Sequence, residues 1–184
     1  MNKLLLFFSL IMFVGTNVNA QKYFTRDGNI IFSSDAPMEK IEAKNSTATC
    51  ILDTESGRIE FAVLIKAFQF EKALMQEHFN ENYMESDKFP KSTFKGNIEN
   101  ISAINFQKDG SYQTKVKGEL TIHGVTKEIE SEGTFTVKEG KINAISAFQV
   151  QVADYKIEIP SVVKDNIAKT VAIDVQLDLQ EFKK

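Results

Sequence analysis

The sequence predicts an all-β, antiparallel fold in one domain, and three observations predict it. Several stretches of 8–14 residues alternate apolar and polar side chains with period two, the mark of a strand with one dry face and one wet face. Turn dipeptides containing glycine separate them, as at Asp27-Gly28, Ser56-Gly57, Asp109-Gly110, His123-Gly124 and Glu139-Gly140. No strand–helix–strand alternation occurs, so a parallel sheet is disfavoured, and a sandwich or a closed barrel remains. A sandwich fills its middle with side chains, whereas a barrel of about eight strands can hold one small apolar ligand.

The first 20 residues stand apart. Lys3 precedes the apolar run Leu4–Val14, and Val18-Asn19-Ala20 supplies the small residues a signal peptidase reads. The run is too short to span a membrane as a helix. Residues 1–20 are therefore expected to be a cleaved signal peptide and residues 21–184 the exported domain, periplasmic or secreted. Lys3 is the only charged residue of the leader, so a chain of net charge −3 becomes −4 on cleavage. A mildly acidic chain without a basic cluster argues against nucleic acid and against anionic membrane surfaces. Cys50, the only cysteine, cannot form an internal bridge and reads as a small buried strand residue.

Along the domain, Tyr23–Ser33 reads as a hairpin or a bent strand around Asp27-Gly28. Ala48, Cys50 and Leu52 alternate in a second strand over Lys40–Asp53. In Arg58–Phe70, Ile59, Phe61, Val63 and Ile65 share one parity and Phe68 and Phe70 the other, which predicts a bulge or bend at Ala67. Leu74, Met75, His78 and Phe79 then take helical spacing, giving one short amphipathic helix over Glu71–Asn82, and Phe89-Pro90 ends the segment. Phe94–Phe106 returns to strand. Lys115–Val137 is a hairpin turning at His123-Gly124, with Gly133 breaking the run before a third strand. Ile142, Ala144, Ser146, Phe148, Val150 and Val152 form one long alternating face. Ala153–Ala168 holds Pro160 and reads as a loop with an extended piece at Lys156–Ile159; Thr170–Leu179 is the last strand.

Two motifs carry a resemblance. Around Met84-Glu85-Ser86-Asp87, Lys88-Phe89-Pro90 and Phe94, a short helix runs into an acidic, serine-containing segment and then an aromatic strand. Later, Gly118, Leu120, Thr121, Gly124, Val125, Thr126 and Lys127 form a glycine-anchored hairpin. In order and separation these resemble the YceI-like family of exported bacterial proteins. The resemblance implies a single antiparallel up-and-down-type β-barrel, lipocalin-like and extended, of about eight strands with one short helix near a mouth. It further implies a carrier of a polyisoprenoid or similar long apolar molecule, and a homodimer. The chain departs from the family where His123 replaces a frequent arginine, and its early strand offers Asp27 and Asp35 but no histidine.

The expected lining of such a cavity is Phe61, Val63, Ile65, Phe68, Phe70, Leu74, Phe79, Tyr83, Phe94, Ile122, Phe135 and Phe148. Lys88, Lys91, Tyr155 and Lys156 are candidate head-group contacts by position near the helix and the irregular loop. Two histidines and one remote cysteine are a poor ligand set for zinc, so no metal and no cofactor is expected. No Gly-x-Ser-x-Gly elbow accompanies Ser86 or Ser92, and Glu85 and Asp87 read as a solvated face, so no enzyme is expected. The alternative is an envelope or stress-related interaction protein whose barrel core is filled and binds no ligand.

Overall fold

The computed structural model describes residues 21–182, so the expected signal peptide at residues 1–20 lies outside the described residues. Its strands are β1 (Lys22–Asp35), β2 (Lys40–Asp53), β3 (Arg58–Leu64), β4 (Gln69–Phe70), β5 (Lys91–Ile98), β6 (Gly110–Ile122), β7 (Val125–Lys138), β8 (Lys141–Gln151) and β9 (Thr170–Glu181), with one helix, α1 (Ala73–His78). Every ladder is antiparallel, in the order β1-β9-β8-β7-β6-β5-β3-β2. Because β1 also pairs with β2, the sheet closes into an eight-stranded up-and-down barrel. Closure gives each of the eight strands a partner on both sides, over at least part of its length. The two-residue β4 continues the line of β3, pairing Phe70 with Ala43 of β2.

Period-two alternation does most of the work. On β9, Leu177 and Leu179 are each 1% exposed, between exposed Gln176, Asp178 and Gln180. Two turns match their glycine signals: His123 and Gly124 have φ of 50° and 72°, and Glu139 and Gly140 of 51° and 74°. Positive φ at both central residues gives the primed turn whose twist suits a two-residue hairpin.

Other expectations need correcting. Of the two readings of Asp27-Gly28, the hairpin fails and the bent strand holds: β1 continues through it, with register shifts on both sides of Gly28. A side chain at Gly28 would meet Leu177 at 2.7 Å, so this glycine serves close packing at a bulge. Gly133 does not break β7, which pairs continuously from Val125 to Val137 with β6. The phase change near Ala67 is a 3-10 turn over Ile65–Ala67. The strand from Phe94 ends at Ile98, and the chain then passes through Asn100, at φ 53°, into a 3-10 turn that drives Ile104 into the core. The helix is also shorter than the pattern suggests. After His78 it widens into a π-type turn at Phe79–Tyr83. Lys156–Ile159 joins no ladder.

The barrel has two unlike ends. One carries the β2–β3, β5–β6 and β7–β8 connections and is solid: Tyr23, Leu52, Ile98, Ile104, Val137 and Ile142 meet there, none more than 6% exposed. The other carries the β1–β2 turn, the α1 segment, the His123-Gly124 turn and the 152–169 connection. There Ile30, Ala43, Val63 and Phe68 form a second buried cluster, and a cavity lies beside it.

Candidate functional site: an apolar chamber under the mouth

In its upper half the barrel holds a cavity of about 440 Å³. Strand residues wall it because the inward parity of every strand is apolar, and the solid end forms its floor through Ile59, Phe135 and Leu177. Among the described residues no lysine or arginine contributes to the wall, and the only acidic group there is Glu39. The volume falls in the range of small-molecule sites, roughly 300–1,000 Å³.

Of the residues expected to line a cavity, Phe61, Val63, Ile65, Phe68, Phe70, Phe79, Tyr83, Phe94, Ile122, Phe135 and Phe148 all stand in this wall. Leu74 does not. It is 61% exposed, and its neighbour Met75 faces the chamber instead. A short helix lying across a mouth turns only part of its circumference inward, and spacing alone left the phase open by one residue. Not singled out from the sequence were Ile30, Phe32, Val150, Ile173 and Val175, although their alternation was legible, and Ile157 and Ile159 of the irregular connection.

An aromatic cluster joins the helix to the barrel. The Phe79 ring lies 5.2 Å from Phe32, 5.7 Å from Phe68 and 5.0 Å from Phe70. Contacts of this kind hold rings at offset or edge-on geometry and add to the gain from burial. The helix is also held at its rim, where Lys72 pairs with Glu39 at 3.0 Å.

The 152–169 connection is tied down at two places. Near the β1–β2 turn, the Ala168 N–H donates to buried Ser34 Oγ at 2.8 Å and the Met38 N–H donates to the Asp165 carbonyl at 3.0 Å. At the hairpin tip, the His123 ring sits 2.8 Å from Glu85 Oε2 through Nε2 and 3.1 Å from the Tyr155 carbonyl through Nδ1. Phe89 packs edge-on at 4.6 Å against the same ring. One side chain thus joins the hairpin, the segment after α1 and the connection after β8. Both ring nitrogens face oxygen atoms.

The other candidates fall outside the wall, with one exception. Lys88, Lys91 and Lys156 are exposed at the mouth end, Lys88 lying 4.8 Å over the Phe89 ring. Tyr155 is 2% exposed and does reach the chamber; burial, then the charge of Asp154, pushes its hydroxyl pKa up. Glu85 and Asp87 have separate partners, His123 for the first and Lys66 at 2.6 Å for the second. His78 stands exposed at the rim. Among the described residues no three metal-binding side chains cluster.

A closed antiparallel barrel, solid at one end and hollow under a capped mouth, is the architecture of proteins that hold an apolar molecule inside. The YceI-like domain model matches residues 13–179, and the chain belongs to that family. Among solved structures, the chain resembles a polyisoprenoid-binding domain from Saccharophagus degradans implicated in plant cell wall breakdown. The TM-score is 0.77 at 13% identity, covering 88% of this chain and 98% of that one. Burkholderia cenocepacia BcnA gives 0.68 at 14% identity, with 85% and 96% covered. The Campylobacter jejuni YceI protein gives 0.53 at 20% identity, with 75% and 81% covered. No curated protein sequence matches.

Proposed function

We propose that the protein is an exported, non-enzymatic carrier that holds a polyisoprenoid or similar long apolar molecule in the upper chamber. The observation that carries this reading is a void of about 440 Å³ walled mainly by Phe, Ile, Val and Leu and, among the described residues, by no lysine or arginine. Such a wall removes a hydrocarbon chain from water at about 0.8 kcal/mol per methylene and asks nothing of the ligand but shape and dryness. The void favours this reading over that of an interaction protein with a filled core, because a protein interior otherwise packs to crystal density. The polyisoprenoid-binding domain from S. degradans, similar in fold, supports the same ligand class. The polar end of the ligand would lie at the mouth, within reach of Tyr155 inside and Lys88, Lys91 and Lys156 outside. The leader at residues 1–20 supports export to the periplasm or beyond.

The test is to purify the protein from the envelope of its native host and extract it with organic solvent. Mass spectrometry is expected to find one apolar molecule in near-stoichiometric amount, and N-terminal sequencing to begin at Gln21. A ligand-free protein that also takes up no fluorescent prenyl probe would refute the carrier reading.

A further inference from the structure

The barrel wall is not paired throughout. β7 and β8 form a ladder only from Gly133–Ser146 down to Lys138–Lys141. Above that point, β7 continues to pair with β6 as far as Val125, and β8 with β9 as far as Gln151. Each strand is thus fully held on its far side while the two part from one another. The Val152–Tyr155 turn, whose Tyr155 carbonyl is fixed on His123, packs against both strands and closes the top of the gap.

The point of divergence is built from small residues. Ser131 Oγ and Ser146 Oγ lie 2.7 Å apart, and the Ser146 hydroxyl donates to the Glu132 carbonyl at 2.7 Å. Gly133 needs no explanation from its backbone, since its φ is not positive. Nor does packing exclude a side chain there. A Cβ at Gly133 would find its nearest neighbour, the Ile145 carbonyl, at 3.5 Å. Glycine inside a strand costs about 0.5–1 kcal/mol relative to alanine, and one use of a strand glycine is to let another molecule approach the backbone closely.

The outside of the barrel carries a hollow on the other face of this stretch of wall. Gly133, Ile145, Ser146 and Val175 border both it and the chamber, and the rest of the hollow is largely polar, with Lys115, Glu132 and Asp174 beside Ile31 and Ala147. The chamber itself is small for a polyisoprenoid. A 150 Å³ cavity accepts one six-carbon ring, so about 440 Å³ accommodates roughly 18 carbon atoms.

We propose that the parting of β7 and β8 is a side exit, through which the tail of an apolar chain too long for the chamber leaves the barrel just above the Gly133–Ser146 pair. This rests on the carrier reading and makes it more specific: the ligand class includes chains longer than the enclosed volume, and the wall sets no upper limit on length.

The test compares a short polyprenol, farnesol, with a long one, solanesol, on the wild-type protein and on Gly133→Val, whose side chain would fill the notch. Ser146→Val is a second variant from the opposite strand, read alone if the first fails to fold by circular dichroism. The expected result is a fall of at least tenfold in the ratio of solanesol to farnesol affinity in either folded variant. An unchanged ratio, whether both affinities hold or both fall together, overturns the side exit. A wild-type protein that binds neither polyprenol refutes the carrier reading instead, so the two failures are distinct.

Discussion

Truncating Phe79 and Leu52 separately tells a chamber wall from a packed core. Leu52 is 0% exposed, lies in the solid end of the barrel and does not border the chamber. Its replacement by alanine opens a cavity where none exists and is expected to cost about 3–5 kcal/mol. In a protein of this size that lowers the melting temperature by roughly 6–20 °C. Phe79 is half-buried, with Phe32, Phe68 and Phe70 on one side and the chamber on the other. A ring that packs on one side only loses about half as much, roughly 1.5–2.5 kcal/mol. Its loss should be felt by a ligand instead. Two methylenes left uncovered at about 0.8 kcal/mol each amount to some 1.6 kcal/mol, or about 15-fold in affinity. Urea unfolding with and without a saturating prenyl probe separates the two effects. At 100 times the dissociation constant a ligand adds about 2.7 kcal/mol to wild-type stability. Leu52→Ala should keep most of that increment if it folds, and Phe79→Ala should lose about half. Equal destabilisation by both, with the increment intact in each, would show that Phe79 is ordinary core and that the chamber reading is wrong.

Replacing His123 by Asn, which tolerates the positive φ of this position, should remove the tie between Glu85 and Tyr155 at a cost of about 1 kcal/mol while speeding probe release, measured by stopped-flow displacement. Cys50 is 1% exposed, and burial pushes its thiol pKa well above the ordinary value of 9.0. The thiol should therefore resist a disulfide reagent in the native protein and react once urea unfolds it. The sign of the pH effect follows, because the folded state keeps the proton after the unfolded state has lost it. Stability should fall by up to about 1.4 kcal/mol per pH unit above about pH 9, and Cys50→Ala should flatten that slope in urea titrations. Gly118→Ala should destabilise by more than 2 kcal/mol in the same assay, since Gly118 faces Gly96 across β5 and β6 and a Cβ there would collide with the Lys95 carbonyl.

Strand existence, strand parity and the two tight turns were legible because each depends on residues adjacent in sequence. The alternation of Ile142, Ala144, Ser146, Phe148 and Val150 defines an inward face whatever lies opposite, and His123-Gly124 supplies its own positive φ. For the same reason, all but one of the residues expected to face an interior do stand in the chamber wall. Leu74 failed because its orientation belongs to the way α1 lies on the mouth, which Phe79 and the rings around it decide. Asp27-Gly28 and Gly133 misled because glycine signals a turn, a bulge or an approach equally well, and only the neighbours tell which.

Whether the barrel is hollow or solid was beyond the reach of pattern, since an inward Phe looks alike in either case. The tertiary structure gives both answers in one molecule: solid where Ile104 and the strand ends converge, open where the strands run apart beneath α1. Alternation along each strand determines which side chains point inward. How far apart the opposite walls stand depends on closure, register and the loops that cap each end, and these are contacts between residues far separated in the chain. The tie at His123 is of the same kind, joining residues 38 and 32 positions away, and no local signal announces it.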